Sequence, residues 1–247
     1  MRTRDYLDEL LTAQHVDVTL GQAVRARRAE VEDMLCGNGA RFYTGGSFAK
    51  HTAIAAQFDL DVVIYFPAET AASPRELYET VEARLRAAGH VPARHNVSLR
   101  LQYTPRWHID VVPGRAIDAS FEFARLWAAE RDAVRQTSLK RHIEFARGLD
   151  RDVLRLMKLW RCRNAVAAGS FVLELISERA LRGFTGTLEE RLAQVLRWIA
   201  EDFETARLVD PANSANVVSD DIEPWRKREI AAAAAQALAG PWHRAVW

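Results

Sequence analysis

Three aspartates and one glycine turn have the residue types and spacing in this chain to do chemistry. Asp59 and Asp61 lie in the apolar run Phe58-Asp59-Leu60-Asp61-Val62-Val63-Ile64-Tyr65-Phe66, and Asp110 lies in Trp107-His108-Ile109-Asp110-Val111-Val112-Pro113. The turn is Gly45-Gly46-Ser47, and Asp59 follows Ser47 by twelve residues. Mg²⁺ prefers hard oxygen ligands and is usually held by one or two carboxylates together with substrate phosphates. Two such ions can stabilise both the attacking and the leaving oxygen of an in-line displacement at phosphorus. Burying three carboxylates near one another is unfavourable unless cations neutralise them. The expected cofactor is therefore a pair of Mg²⁺ ions, with Mn²⁺ as a substitute, bound by Asp59, Asp61 and Asp110. Glycines let backbone N–H groups approach a phosphate closely. Gly46 and the Ser47 hydroxyl are the expected phosphate ligands, helped by any helix that opens at Ser47. Lys50 is either a further contact to phosphate or acceptor, or an ordinary exposed lysine.

Such a site needs rigid support. Residues two apart on a strand share a face. Asp59 and Asp61 then point one way while Phe58, Leu60 and Val62 point to the core, and Asp110 opposes Ile109 and Val111. Strands are expected at 41–44, 58–66, 97–103 and 107–112. The alternation of Val97, Leu99, Leu101 and Tyr103 with Ser98, Arg100 and Gln102 predicts a half-exposed strand. A helix is expected over 19–36, with Leu20, Val24, Val31 and Leu35 on one face and Gly37 as its stop. Leu7, Leu10 and Leu11 predict a shorter helix before it. Ser73-Pro74-Arg75-Glu76 has the form of a capping box opening a helix that runs to Ala88. From about residue 137 the pattern is helical. It includes the stripe Leu154, Met157 and Trp160, a second capping box at Thr187-Leu188-Glu189-Glu190, and an alanine run at 231–235. The histidines at 90, 95 and 108 lack a metal-ligand pattern and read as structural. The tryptophans, Trp225 and Trp247 among them, read as packing residues.

The chain has 247 residues, 49% of them hydrophobic, and a formal net charge of +1. It is long enough for a sizeable core. A dedicated duplex binder would show a stronger basic excess. The two cysteines, Cys36 and Cys162, stand far apart and suggest neither a disulfide framework nor a zinc motif. No membrane span is evident and the first residues do not form a signal peptide, which makes the cytoplasm the expected location.

The stretch from Gly45-Gly46-Ser47 through Asp59-Leu60-Asp61 resembles the nucleotidyltransferase signature of the polymerase-β-like superfamily. Within it the chain is most similar to the oligoadenylate synthetases and cyclic GMP-AMP synthase-like enzymes, including the bacterial CD-NTase type. Four later stretches carry that likeness. They are Asp110 in Ile-Asp-Val-Val-Pro, Leu156-Met157-Lys158-Leu159-Trp160, Ser170-Phe171-Val172-Leu173-Glu174-Leu175, and Leu208-Val209-Asp210-Pro211-Ala212-Asn213. The resemblance implies an α+β, bilobed nucleotidyltransferase fold. A mixed-sheet palm with a brace helix (residues 1–136) would join an all-helical C-terminal lobe (residues 137–247) that closes a nucleotide cleft. It also implies that Lys158 and Ser170 contact the triphosphate tail.

The expected activity is Mg²⁺-dependent joining of ATP, GTP or other NTPs with release of pyrophosphate. The product would be a cyclic or linear oligonucleotide second messenger, in anti-phage signalling. Nucleic acid is admitted as acceptor or activator without being required, and a regulatory protein is a further expected partner. Two alternatives stand beside this: nucleotide addition to RNA, as in CCA-adding enzymes, and a non-catalytic nucleotide or RNA sensor.

Overall fold

The computed structural model describes residues 3–16, 18–104 and 107–246, without the side chains of residues 3–5, 18–20 and 58. Leu20, Phe58 and Trp247, each given a packing role above, therefore lie outside the described side chains. In chain order the elements are α1 (Thr3–Ala13), α2 (Val18–Leu35), β1 (Arg41–Thr44), the one-turn α3 (Gly46–Ala49), β2 (Phe58–Phe66) and α4 (Pro74–Ala87). β3 (Ala93–Arg94), β4 (Leu99–Thr104), β5 (Trp107–Ala116), β6 (Ala124–Ala128) and β7 (Ala133–Thr137) follow. The remainder is α5 (Leu139–Arg147), α6 (Arg151–Arg163), α7 (Ser170–Leu181), α8 (Leu188–Glu201), the pair β8 (Val209–Asp210) and β9 (Asn213–Val217), α9 (Pro224–Ala239) and α10 (Trp242–Ala245). The chain divides into two compact units. One comprises Val16–Ala53 and Gln57–Glu144, the other Met1–His15, Ile54–Ala56 and Phe145–Trp247.

The first unit is built on a seven-stranded mixed sheet ordered β1-β2-β5-β4-β3, with β6 pairing the far end of β5 and β7 pairing β6. β2 and β5 run parallel along their whole length, and β1 and β4 flank them antiparallel. Period-two patterning decides which face is buried. Leu60, Val62, Ile64, Leu99, Ile109 and Val111 are fully buried against Val31 and Leu35 of α2 and Tyr78 and Leu85 of α4. Each such aliphatic side chain contributes about 1.5–3 kcal/mol when removed from water. α4 starts where its sequence says it should. Ser73 Oγ accepts from the Glu76 N–H, and the Glu76 carboxylate accepts from the Ser73 N–H. The opposite face carries Asp59 and Asp61 at one end of β2. Val63 and Tyr65 lie at the other end, packed with Ala124 and Leu126 of β6. Gly114 permits that packing, because a Cβ there would sit 2.5 Å from Leu126 Cδ2.

The second unit is mainly helical. Met157, Trp160, Leu173, Ile176, Leu192, Leu196, Ile199, Phe203 and Val246 are fully buried in one core. The Thr187 capping box forms as patterned, and the alanine run lies inside α9.

Four expectations need correction. β6 and β7 lie in a stretch whose alanines, arginines and glutamates show no strand pattern; pairing with β5 overrides local preference there. The C-terminal region is not all helical, since β8 and β9 form a small antiparallel pair. The hydrogen bonds of Asp210 build it: its carboxylate accepts from the Ala212 N–H at 2.8 Å and from Asn216 Nδ2 at 3.0 Å. Trp225 is 48% exposed rather than packed. The fourth concerns His108, below.

Candidate active site on the central strands

The parallel register of β2 and β5 makes the site. Asp61 is the direct neighbour of Asp110, and Asp59 that of His108. Side chains directly opposite on adjacent strands share a face, so four polar groups converge where the sequence pattern alone fixed three. His108 Nε2 lies 3.3 Å from Asp59 Oδ1 and 3.6 Å from Asp110 Oδ2. Both His108 Nε2 and Asp59 Oδ1 are buried without an aligned hydrogen bond. His108 is thus a member of the acidic cluster and not a remote structural residue. Its place two residues before Asp110 puts it on the same face of β5, but only the register with Asp59 ties it to the cluster.

On the other side of β5, Arg100 of β4 is the register neighbour of Asp110. It makes a two-pronged ion pair: Arg100 Nε donates to Asp110 Oδ1 at 2.9 Å and Nη2 donates to Oδ2 at 2.7 Å. The half-exposed face expected for β4 is therefore turned toward the carboxylates. Burial opposes ionisation of Asp110, but the hydrogen bonds from Arg100, and then the nearby His108 imidazole, outweigh it and hold the group down to about 2. Asp61 behaves in the opposite way. Burial, then repulsion from Asp110 and Asp59, pushes it up to about 7 against the weaker pull of Lys50 and His108. Two adjacent carboxylates pushed apart in this way make the cluster a candidate functional site.

The glycine turn backs directly onto Asp61. The Gly45 N–H donates to the Asp61 carbonyl at 2.8 Å, extending the β1–β2 ladder by one rung. Gly46 has φ +56, and a Cβ on it would land on the Asp61 carboxylate. Only glycine fits there, both for the left-handed backbone and for the space. Gly46 and Ser47 open α3, where the first N–H groups have no partner within the helix. Ser47 and Lys50 are half-buried, and Lys50 is near enough to lower the proton affinity of Asp61. Gly46, Ser47, Lys50, Asp59, Asp61 and Asp110 are thus gathered in one unit around the ends of β2 and β5.

Lys158 and Ser170 belong to the helical unit. Lys158 is 4% exposed on α6, not a solvated lysine, and Glu174 on α7 is 2% exposed. Ser170 is the first residue of α7, and its Oγ accepts from Arg161 Nη1 at 2.9 Å. Asn213 and Asn216 serve the β8–β9 turn.

The residues of the acidic cluster fit divalent cations. Their donors are hard oxygens, Asp59 Oδ1 is buried with no aligned hydrogen bond, and the proton affinity of Asp61 is raised by burial first and then by Asp110 and Asp59. Among the described residues, no three His, Cys, Asp or Glu side chains already surround a common point. No helix in the same residues is long and apolar enough to cross a membrane.

No protein-family profile matches the chain, and no curated protein does. Solved structures do. CdnC of E. coli MS115-1, solved with ATP, superposes with a TM-score of 0.76 at 19% identity over 96% of this chain and 90% of that one. The Bradyrhizobium diazoefficiens CD-NTase CdnG, in complex with GTP, gives 0.75 at 17% identity over 97% and 91%. The Cid1 poly(U) polymerase, with Mg and 3′-dATP bound, gives 0.71 at 12% identity over 96% and 93%. The chain therefore has the fold of the bacterial CD-NTases, as its motifs imply.

Proposed function

We propose that this chain, carrying the CD-NTase fold, is a Mg²⁺-dependent nucleotidyltransferase. It joins NTPs, releases pyrophosphate and makes a cyclic or linear oligonucleotide second messenger in anti-phage signalling. The register pairing of Asp61 with Asp110, beneath a glycine turn with no room for a side chain, carries this reading. Asp59, Asp61 and Asp110 would hold the metal ions, which supply charge neutralisation at the reacting phosphate. Ser47 Oγ and the N–H groups opening α3 donate to the triphosphate oxygens, and Lys50 adds a positive charge beside them. Lys158 and Ser170 serve the triphosphate tail. An acceptor ribose hydroxyl attacks the α-phosphorus, and the bond from that phosphorus to the bridging oxygen breaks. Pyrophosphate leaves, and the hydroxyl proton passes to Asp110 or to solvent. The work of the protein is positioning and electrostatics.

A regulatory protein partner belongs to the same reading; CdnC has been solved in a complex with HORMA-deltaN. The likeness to the Cid1 poly(U) polymerase supports a second reading, addition of nucleotides to an RNA end. One experiment separates the two. Purified protein is given the four NTPs with Mg²⁺, with and without labelled RNA, and products are identified by mass spectrometry. Small oligonucleotides with matching pyrophosphate support the first reading, and extended RNA supports the second. Asp59→Ala combined with Asp61→Ala should abolish pyrophosphate release in either case. Activity retained by that double variant refutes both.

A further inference from the structure

Arg100 takes up the side chain expected to be the third metal ligand. Both Asp110 oxygens are engaged by its guanidinium, at 2.9 and 2.7 Å, and the two residues are register neighbours on adjacent strands. The pair lies within a cluster that holds other neighbours of the carboxylates: Lys50 acts on Asp61, and His108 Nε2 stands 3.3 Å from Asp59 Oδ1 and 3.6 Å from Asp110 Oδ2. In this arrangement no three ligand-type side chains among the described residues meet at one point. An arginine fork matched to a carboxylate is one of the stronger hydrogen-bonded pairings in proteins. A guanidinium held there also repels a dication arriving at the same oxygens. Arg100 is 30% exposed and Asp110 12%, so the arginine is the partner with a route to solvent.

We propose that Arg100 is an internal stand-in for the divalent cation, a positioning residue that occupies Asp110 in the metal-free protein and must release it before the ions bind. Metal binding is then an exchange, and its affinity is set partly by breaking this pair. This rests on reading the three aspartates as the cation site. The rival role for the same contact is a permanent outer support, in which Arg100 orients Asp110 while the metal is bound. The two differ in sign. Removing an outer support weakens metal affinity by roughly ten- to hundredfold. Removing a competitor strengthens it by a similar factor, since hydrogen bonds to a charged partner are worth about 1.5–3 kcal/mol and each 1.4 kcal/mol is about tenfold.

The test is Mn²⁺ binding followed by electron paramagnetic resonance, with thermal melts in EDTA and in Mn²⁺. Four full-length proteins are compared: unaltered, Arg100→Gln, Arg100→Lys, and Asp59→Asn with Asp61→Asn. Exchange predicts Mn²⁺ binding about ten- to hundredfold tighter in Arg100→Gln, with Arg100→Lys in between, as its point charge lacks the fork. It also predicts that Arg100→Gln melts earlier in EDTA and gains more from Mn²⁺ than the unaltered protein. Unchanged or weaker Mn²⁺ binding in both arginine variants overturns the exchange, and leaves the cation site standing if the double aspartate variant no longer binds. Binding that survives in the double aspartate variant overturns the cation site itself, and absence of binding in all four overturns both. If Arg100→Gln does not fold, Arg100→Lys carries the same sign.

Discussion

Asp61→Asn tests the electrostatics of the cluster most directly. Asp61 ionises near 7 in the folded protein against an ordinary 3.8, through burial first and then repulsion from Asp110 and Asp59. Between those two values the folded state binds more protons than the unfolded chain, so the contribution of Asp61 to stability falls as pH rises. At roughly 1.4 kcal/mol per decade, the metal-free protein gives up about 2 kcal/mol at pH 5 and about 4 kcal/mol at pH 8, relative to a neutral side chain of the same shape. Asp110 works in the opposite sense, since its contribution is lost only as pH falls below the ordinary range toward about 2. A comparison from pH 5 to pH 8 therefore leaves Asp110 ionised throughout while Asp61 changes state. Asp61→Asn should be the more stable protein in EDTA, by a margin that grows over this range, and should release no pyrophosphate. The assay is a urea titration read through amide exchange of β2 and β5, which reports the sheet unit by itself. Mg²⁺ should narrow the margin by stabilising only the unaltered protein. Equal stability of the two proteins at pH 8, or a margin that does not change with pH, refutes the reasoning.

Two further outcomes follow from the same geometry. Gly46→Ala places a methyl group on the Asp61 carboxylate and forces alanine to φ +56, a strain of about 1–2 kcal/mol before any displacement. It should lower both the melting temperature and pyrophosphate release, the latter by about a hundredfold for a misplaced reacting group, and near-normal activity would show that the turn does not position the site. Ser73→Ala removes the acceptor that opens α4 and should cost about 1 kcal/mol in urea titration. It should leave the rate of pyrophosphate release per folded molecule unchanged; a fall in that rate would make α4 more than a cover for the sheet.

The parts of the fold that could be read from the sequence are those where one strong local pattern coincides with burial. Leu60, Val62 and Ile64 alternate with Asp59 and Asp61 because one face of β2 meets α2 and α4. Both capping boxes form because their four residues contain the whole interaction. β6 had no such signal. Its residues Ala124–Leu126 pair with Gly114–Ala116 and Ala124–Ala128 pair with Ala133–Thr137, so the information for those contacts is divided among three separate segments. The β8–β9 pair was hidden for the same reason, since Asp210 and Asn216 come together only once the turn is made.

The candidate site shows the same division. Three aspartates were legible because an acidic residue inside an apolar strand is unfavourable and therefore informative. Arg100 and His108 were not, because arginine and histidine on the polar face of a strand are unremarkable until the register is known. Register turns them into part of the site: one step across from Asp110 is Arg100, and one step across from Asp59 is His108. Side-chain type announces where charge will be buried, and strand pairing decides what balances it. In this chain the balance is incomplete at Asp61, whose proton affinity stays high even with Lys50 and His108 nearby. Arg100 supplies Asp110 with a counter-ion, while burial and two neighbouring carboxylates keep the proton affinity of Asp61 high beneath the glycine turn.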